Sequence, residues 1–184
     1  MVSILSLLLP IVVSAVLVFI ASSIIHMFLG YHASDFVAVP DEDAVRAALR
    51  GIPPGEYAVP YAGSMAGMKS PEFTDKMKAG PIVLMNLRAG RPPTMGRELT
   101  LWFVYCLVVS LFAAYITGRA LGPGAGYMDV FRFAGTTAFI GYALAQWQDT
   151  IWYNRSAITS LKNTFDSLVY ALLTAGVFGW LWPA

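Results

Sequence analysis

The chain has 184 residues, of which 57% are hydrophobic and only 12% are charged. An ordinary soluble domain is about 45–50% apolar and about 25% charged, so this composition argues against a soluble globular protein and is typical of a membrane protein. The net charge of +1 gives no basic field for binding nucleic acid, and we predict no nucleic-acid partner.

A long apolar run from Ile4 to Gly30 predicts the first membrane helix, within residues 1–30. The run exceeds the roughly 20 residues that cross a bilayer, so we expect the helix to be tilted. A secretory signal peptide is the alternative, but it would place a positive charge before a shorter apolar core. No Lys or Arg precedes this run, which favours a retained helix.

Residues 31–98 are more polar and carry most of the charged residues and prolines. Asp41 is a predicted N-cap for a helix ending near Arg50, and Ser70 followed by a proline starts a second helix that Gly80 ends. Short strands are predicted at Asp35–Val39, Glu56–Val59 and Pro81–Leu87. The order β-α-β-α-β predicts a small extramembrane α/β insertion between the first and second membrane helices.

Residues 99–184 hold three further apolar segments, predicted as membrane helices at about 99–121, 130–153 and 163–182. The Gly122–Gly126 turn separates the first two, and a short polar connection makes the last two neighbours. The predicted fold class is therefore an all-α polytopic membrane protein with four transmembrane helices and one α/β insertion.

Small residues recur every fourth position on the last two predicted helices and predict that these helices pack together. The third helix offers Thr137, Gly141 and Ala145, and the fourth offers Ala171, Ala175 and Gly179. The alternative is that Gly and Ala are simply frequent in membrane helices.

Ten of the 12 Lys and Arg residues fall on the side of the insertion; only Arg119 and Arg132 fall on the other. The positive-inside rule then predicts a cytoplasmic insertion, with both termini outside the membrane.

Polar side chains gather at the insertion-side ends of the predicted helices: His26, His32, Gln146, Asp149, Lys162 and Asp166. Ionisable groups in membrane segments are functional candidates. Three interpretations stand: a structural polar set at the membrane interface, a proton- or ion-handling site, and a divalent-metal site at His26, His32, Asp149 and Asp166. His26 and His32 are six positions apart and do not share a helical face. No cofactor is predicted.

Several stretches resemble a family of small uncharacterised bacterial inner-membrane proteins with four helices. They are Met68-Lys-Ser-Pro71, Gly80-Pro-Ile-Val83, Met95-Gly-Arg-Glu98, and Phe165 to Gly176 followed by Leu181-Trp-Pro183. The resemblance implies a bacterial inner-membrane location and carries over neither an activity nor a site residue.

The sequence contains no recognisable catalytic motif. The favoured function is a non-enzymatic accessory or assembly protein that binds a protein partner or forms a homo-oligomer in the lipid bilayer. The alternatives are a component of ion- or proton-coupled transport and a metal-binding membrane enzyme, both using the polar face.

Overall fold

The chain divides into two units in the computed structural model, which describes residues Met1–Ala184. Met1–Val37 and Thr94–Ala184 form a helical unit, here called the bundle, and Ala38–Pro93 forms a second, here called the inserted unit. The structure is 68% helical and contains one small antiparallel sheet. Its elements in chain order are α1 (Leu8–Phe28), α2 (Glu42–Leu49), β1 (Gly55–Val59), α3 (Met65–Met68), α4 (Pro71–Ala79), β2 (Val83–Leu87), α5 (Gly96–Ala120), α6 (Tyr127–Ala143), α7 (Trp147–Tyr153) and α8 (Ala157–Trp180).

Four long helices build the bundle: α6 packs on α8, α1 packs on α5 and α8, and α5 packs on α6. The core is rich in small side chains that are fully buried, among them Ala15, Ala113, Ala138 and Ala175. Small side chains let helix backbones approach closely, so these alanines mark places where the helices of the bundle are in close contact.

The contact between α6 and α8 runs through Gly135, where an added Cβ would lie 2.9 Å from the Cβ of Ala175. Gly141 instead faces Val109 of α5, and Gly179 faces the ring of Tyr127. The two helices are neighbours, but α6 is rotated relative to the expected stripe. Three residues of the predicted stripes remain. The Thr137 hydroxyl donates a hydrogen bond to the Phe133 carbonyl of its own helix, Ala145 is exposed, and Ala171 is buried.

The segment predicted as one helix over residues 130–153 is divided in the structure. Helix α6 ends at Ala143, a 3₁₀ turn covers Leu144–Gln146, and α7 follows. The Tyr142 carbonyl accepts hydrogen bonds from the side chains of Gln146 (2.6 Å) and Ser167 (3.1 Å). Side chains that bond to the backbone in this way compete with regular helical hydrogen bonds, which gives a physical reason for the break.

Two helical segments, Leu5–Phe28 and Gly96–Ala120, are long and apolar enough to cross a membrane. Helix α6 has 17 residues, fewer than the about 20 that a bilayer requires. Helix α8 starts at Ala157 rather than Asn163, and its first half carries Lys162 and Asp166, which lower its hydropathy. Four membrane-crossing helices are therefore not established by length and composition.

Both predicted helices of the inserted unit are confirmed. The Asp41 carboxylate accepts a hydrogen bond from the Ala44 amide at 3.0 Å and caps α2. The Ser70 hydroxyl caps α4 by accepting from the Phe73 amide at 3.2 Å, and Gly80, at φ +61°, ends that helix.

The inserted unit has two strands rather than the three expected. Strands β1 and β2 pair antiparallel, with Gly55 opposite Leu87 and Val59 opposite Val83. The predicted strand at Asp35–Val39 does not form, because a 3₁₀ turn precedes it and the Asp35 carboxylate is bonded to Lys162 of the bundle.

Candidate functional site

The two histidines of the chain lie side by side at the C-terminal end of α1. The helix ends at Phe28, Gly30 adopts a left-handed conformation at φ +65°, and a 3₁₀ turn spans Tyr31–Ser34. Glycine adopts this conformation without a steric penalty, so the chain can turn sharply here. The turn brings the rings of His26 and His32 to a centroid distance of 4.4 Å, although their spacing does not suit one helical face.

Asp166 of α8 faces both histidines from the other side of the site, and its side chain is only 3% exposed. Its Oδ2 lies 2.8 Å from His32 Nε2 and 3.9 Å from His26 Nε2. Its other oxygen, Oδ1, accepts a hydrogen bond from the Tyr31 hydroxyl. A buried carboxylate requires such partners, because leaving its oxygens unsatisfied would cost several kcal/mol.

The second ring nitrogen of His32 is bonded to another acid, Asp35, with Nδ1 and Oδ2 2.6 Å apart. The other oxygen of Asp35 accepts a hydrogen bond from Lys162 Nζ at 2.8 Å. Lys162 also donates to the Tyr31 carbonyl at 2.7 Å and to the Ser34 hydroxyl at 3.0 Å. These six residues, His26, Tyr31, His32, Asp35, Lys162 and Asp166, are called the His–Asp cluster below.

Both ring nitrogens of His32 face carboxylates, Nδ1 facing Asp35 and Nε2 facing Asp166. Each of these acids also accepts a hydrogen bond from another side chain, Asp35 from Lys162 and Asp166 from Tyr31. These partners lower the cost of holding the two carboxyl groups away from water.

Two groups of the turn have shifted pKa values. The hydrogen bond from Lys162, followed by that from His32, lowers the pKa of Asp35 below its usual value. Burial, followed by the hydrogen bond to Asp166, raises the pKa of the Tyr31 hydroxyl. Asp35 is therefore held ionised and Tyr31 protonated, the states that their hydrogen bonds require.

Four of the residues predicted for the polar face, His26, His32, Lys162 and Asp166, meet in this cluster, and two do not. Asp149 is 52% exposed and lies 3.8 Å from Arg155. Gln146 donates from its side chain to Tyr142 and Ser167 near the helix break.

Asp166 lies deeper in its helix than the predicted helix start at residue 163 implies. It follows Ala157, the first residue of α8, by nine positions, a rise of about 13 Å. The helix terminus is too distant to stabilise this acid, since that effect fades within the first turn. Its partners are instead His26 near the end of α1 and Tyr31 and His32 in the 3₁₀ turn that follows α1.

Sequence reasoning missed Tyr31 and Asp35. The hydropathy pattern predicts a strand at Asp35 and makes Tyr31 the first residue of the insertion. One signal was available, because polar residues follow Gly30 immediately and a glycine after an apolar helix marks a turn back onto it.

Three residues of the cluster could hold a metal ion. His26, His32 and Asp166 each offer one ligand atom, and these atoms lie within 4.8 Å of one another. The arrangement could alternatively pass a proton along the hydrogen bonds from Tyr31 through Asp166 and His32 to Asp35.

Comparison with protein-family models, curated proteins and solved structures finds no match for this chain.

Proposed function

We propose that this protein is a non-enzymatic, multi-pass protein of the bacterial inner membrane that binds a partner protein through its inserted unit. The observation that carries the proposal is the burial pattern of Ala38–Pro93. This unit has defined helices and strands, yet none of its residues is buried.

The outer surface of the bundle supports the membrane part of the proposal. In the most apolar 18-residue stretch of each of the two segments Leu5–Phe28 and Gly96–Ala120, only 39% and 28%, respectively, is buried inside the protein. Large exposed apolar side chains lie on all four long helices, including Leu9, Ile20 and Ile24 on α1, Leu101 and Phe112 on α5, Ile140 on α6, and Phe165 and Leu172 on α8. Many large apolar side chains exposed in this way are unfavourable in water and suit lipid.

In this proposal the third crossing combines α6, the 3₁₀ turn and α7 over Tyr127–Tyr153. A break in a membrane helix is tolerated where side chains satisfy the freed backbone groups, as those of Gln146 and Ser167 do for Tyr142. The charge distribution supports, by the positive-inside rule, a cytoplasmic inserted unit with both termini outside.

The inserted unit needs a covering surface. Ordering a residue costs about 1–2 kcal/mol of backbone entropy, which burial of apolar side chains normally offsets. Here such side chains remain exposed, among them Tyr61 (79%), Met65 (72%) and Ile82 (57%). Methionines and aromatic residues are adaptable contact residues, so these positions fit a protein partner.

Photo-crosslinking in cells tests this proposal. A photoreactive residue at Met65 or Ile82 should give a discrete crosslinked product, whereas one at Lys78 of the same unit should give none. Tyr61→Ser should remove the Met65 product, because it deletes an exposed aromatic anchor. The proposal fails if the protein gives no product at either apolar position and elutes alone in mild detergent.

A second candidate is proton or ion handling, and a specific observation favours it. The Tyr170 hydroxyl is buried without a hydrogen-bond partner, and Tyr170 lies one helical turn beyond Asp166 on α8. The buried hydroxyl of Tyr142, whose ring packs on that of Tyr170, has only the weak Cys106 thiol as a partner. Native proteins rarely leave such groups unsatisfied. In this candidate function, these hydroxyls and Asp166 carry the proton.

Flux into proteoliposomes tests this candidate. Asp166→Asn should abolish a proton or cation flux that the wild-type protein carries, and Asp149→Asn should leave it intact. A flux that is unchanged by Asp166→Asn, or absent from the wild-type protein, rejects the candidate.

A further inference from the structure

We propose that His26, His32 and Asp166 bind a divalent transition-metal ion of the zinc class at the C-terminal end of α1. This site is independent of the partner-binding surface proposed above, since all three residues belong to the bundle. It involves no residue of Ala38–Pro93.

The ligand atoms already converge. Asp166 Oδ2 lies 2.8 Å from His32 Nε2 and 3.9 Å from His26 Nε2. A zinc ion bound tetrahedrally at about 2.0–2.2 Å from each ligand would hold ligand pairs about 3.3–3.6 Å apart. The two pairs to Asp166 lie on either side of this range, and all three ligand atoms lie within 4.8 Å of one another. The half-exposed His26 side chain is free to adjust toward the other two.

The surroundings of the ligands are those of a metal site. His32 is bonded through Nδ1 to the Asp35 carboxylate at 2.6 Å, which orients Nε2 toward the proposed ion. Metal-bound histidines usually have such a carboxylate or carbonyl partner on the second nitrogen. The Tyr31 hydroxyl occupies Asp166 Oδ1 and leaves Oδ2 as the single ligating oxygen.

The donor set selects the class of metal. Two imidazoles and one carboxylate suit zinc or iron(II), whereas calcium and magnesium prefer oxygen ligands throughout. Three protein ligands leave at least one coordination position for water or another small ligand. Access to that position is from the side of His26, whose side chain is 49% exposed.

Titration of the full-length protein with Zn²⁺ in mild detergent, after removal of metal by a chelator, tests the proposal. We expect one ion per chain in the calorimeter and no comparable binding of Ca²⁺. X-ray absorption at the zinc edge should show scattering from imidazole ligands.

The decisive variant is His26→Asn, because this exposed side chain can be changed without disturbing the buried bonds of Asp166. It should weaken Zn²⁺ binding by more than about tenfold, since loss of even an outer-shell partner lowers metal affinity about 10–100-fold. It should also reduce the imidazole signal while leaving the melting temperature of the metal-free protein unchanged.

Asp149→Asn is the matched control, because it removes an acid of the bundle outside the cluster and should bind Zn²⁺ like the wild type. The proposal is overturned if the wild-type protein binds no stoichiometric Zn²⁺. It is also overturned if His26→Asn binds as tightly as Asp149→Asn, or if Ca²⁺ binds as tightly as Zn²⁺.

Discussion

Two lysine–carboxylate pairs, one in each unit of the protein, have similar geometry and different surroundings. In the bundle, Lys162 and Asp35 are 2.8 Å apart, with side chains 21% and 9% exposed. In the inserted unit, Lys76 and Glu72 are 2.6 Å apart, with side chains 61% and 78% exposed. The shorter pair is the weaker one by physical expectation, because water screens an exposed pair and leaves it little net energy.

The contrast extends to the units as wholes. In the bundle, Asp35 and Lys162 belong to a network in which each charge has several partners, above a core of fully buried side chains. In the inserted unit, Glu72 and Lys76 are neighbours on the surface of α4, and nothing beneath them is buried. In the bundle, a lysine–carboxylate pair thus joins segments that are far apart in the sequence. In the inserted unit, a pair of similar length only links neighbouring turns on the surface of α4.

The largest effect that would sharpen this comparison is expected from Asp166→Asn. Removing one member of a buried charged network leaves its partners uncompensated, which costs about 3–5 kcal/mol of unfolding free energy. Chemical unfolding in detergent micelles measures the change. Asp149→Asn, whose side chain is 52% exposed, should change the stability far less, and equal losses in the two variants would break the comparison.

Asp35→Asn should have the next largest effect and should depend on pH. The pKa of Asp35 is lowered in the folded protein, chiefly by Lys162 and then by His32. Its ionised form therefore stabilises the fold above the unfolded-state pKa of about 3.9, and this contribution is lost as the pH falls through the lower folded-state pKa. At neutral pH we expect a loss of about 1.5–3 kcal/mol, the range for hydrogen bonds to charged groups.

Unfolding of wild type and Asp35→Asn, measured from neutral to acidic pH, checks both parts of this prediction. The two stability curves should converge at low pH, where the wild-type carboxylate is protonated too. The groups facing Asp35 are Lys162, His32 and the Thr159 hydroxyl. A difference that stays constant down to the most acidic conditions would contradict the assignment.

Gly135→Leu tests whether the bundle is as tightly packed as its buried alanines suggest. An added Cβ would meet the Cβ of Ala175 at 2.9 Å, and overpacking of this kind typically costs about 1–3 kcal/mol. Gly96→Leu is the control, because no atom lies within 4 Å of its added Cβ. Equal melting temperatures for the two variants would show that α6 and α8 are not in close contact there.

The smallest effect is expected from Glu72→Gln. The hydrogen bond from Lys76 lowers the pKa of Glu72, so the pair contributes above the unfolded-state pKa and is lost on acidification, but solvent screens it. We expect no measurable change in unfolding at any pH. A loss as large as that of Asp35→Asn would mean that the exposed and buried pairs do not differ in energy.

Features with local causes could be predicted from the sequence. The caps at Asp41 and Ser70 and the helix end at Gly80 follow from side chains acting on backbone groups a few residues away, and all three are found. The predicted strand at Asp35–Val39 failed because a remote lysine and a histidine hold Asp35. The single helix over 130–153 failed because the Ser167 side chain, from another helix, and Gln146 bond to the backbone at the break.

The candidate site shows the same division. The residue types, His26, His32, Lys162 and Asp166, and their collection at one end of the helices follow from the hydropathy pattern. Which acid faces the histidines was not predictable, because Asp149 and Asp166 look alike in the sequence. In the structure, Asp149 lies beside Arg155 and is exposed, whereas Asp166 of α8 is buried against the turn that follows α1.

By itself, the sequence determined the two most apolar helices, the polar insertion and the caps of its helices at Asp41 and Ser70, because these depend on hydropathy and local backbone chemistry. Only the tertiary structure decided that Gly30 folds the chain back, that His26 and His32 share one site, and that Asp166 is their partner. The reason is that side chains six and 134 positions apart are brought together by the turn and by the packing of α8, and no local pattern encodes that proximity.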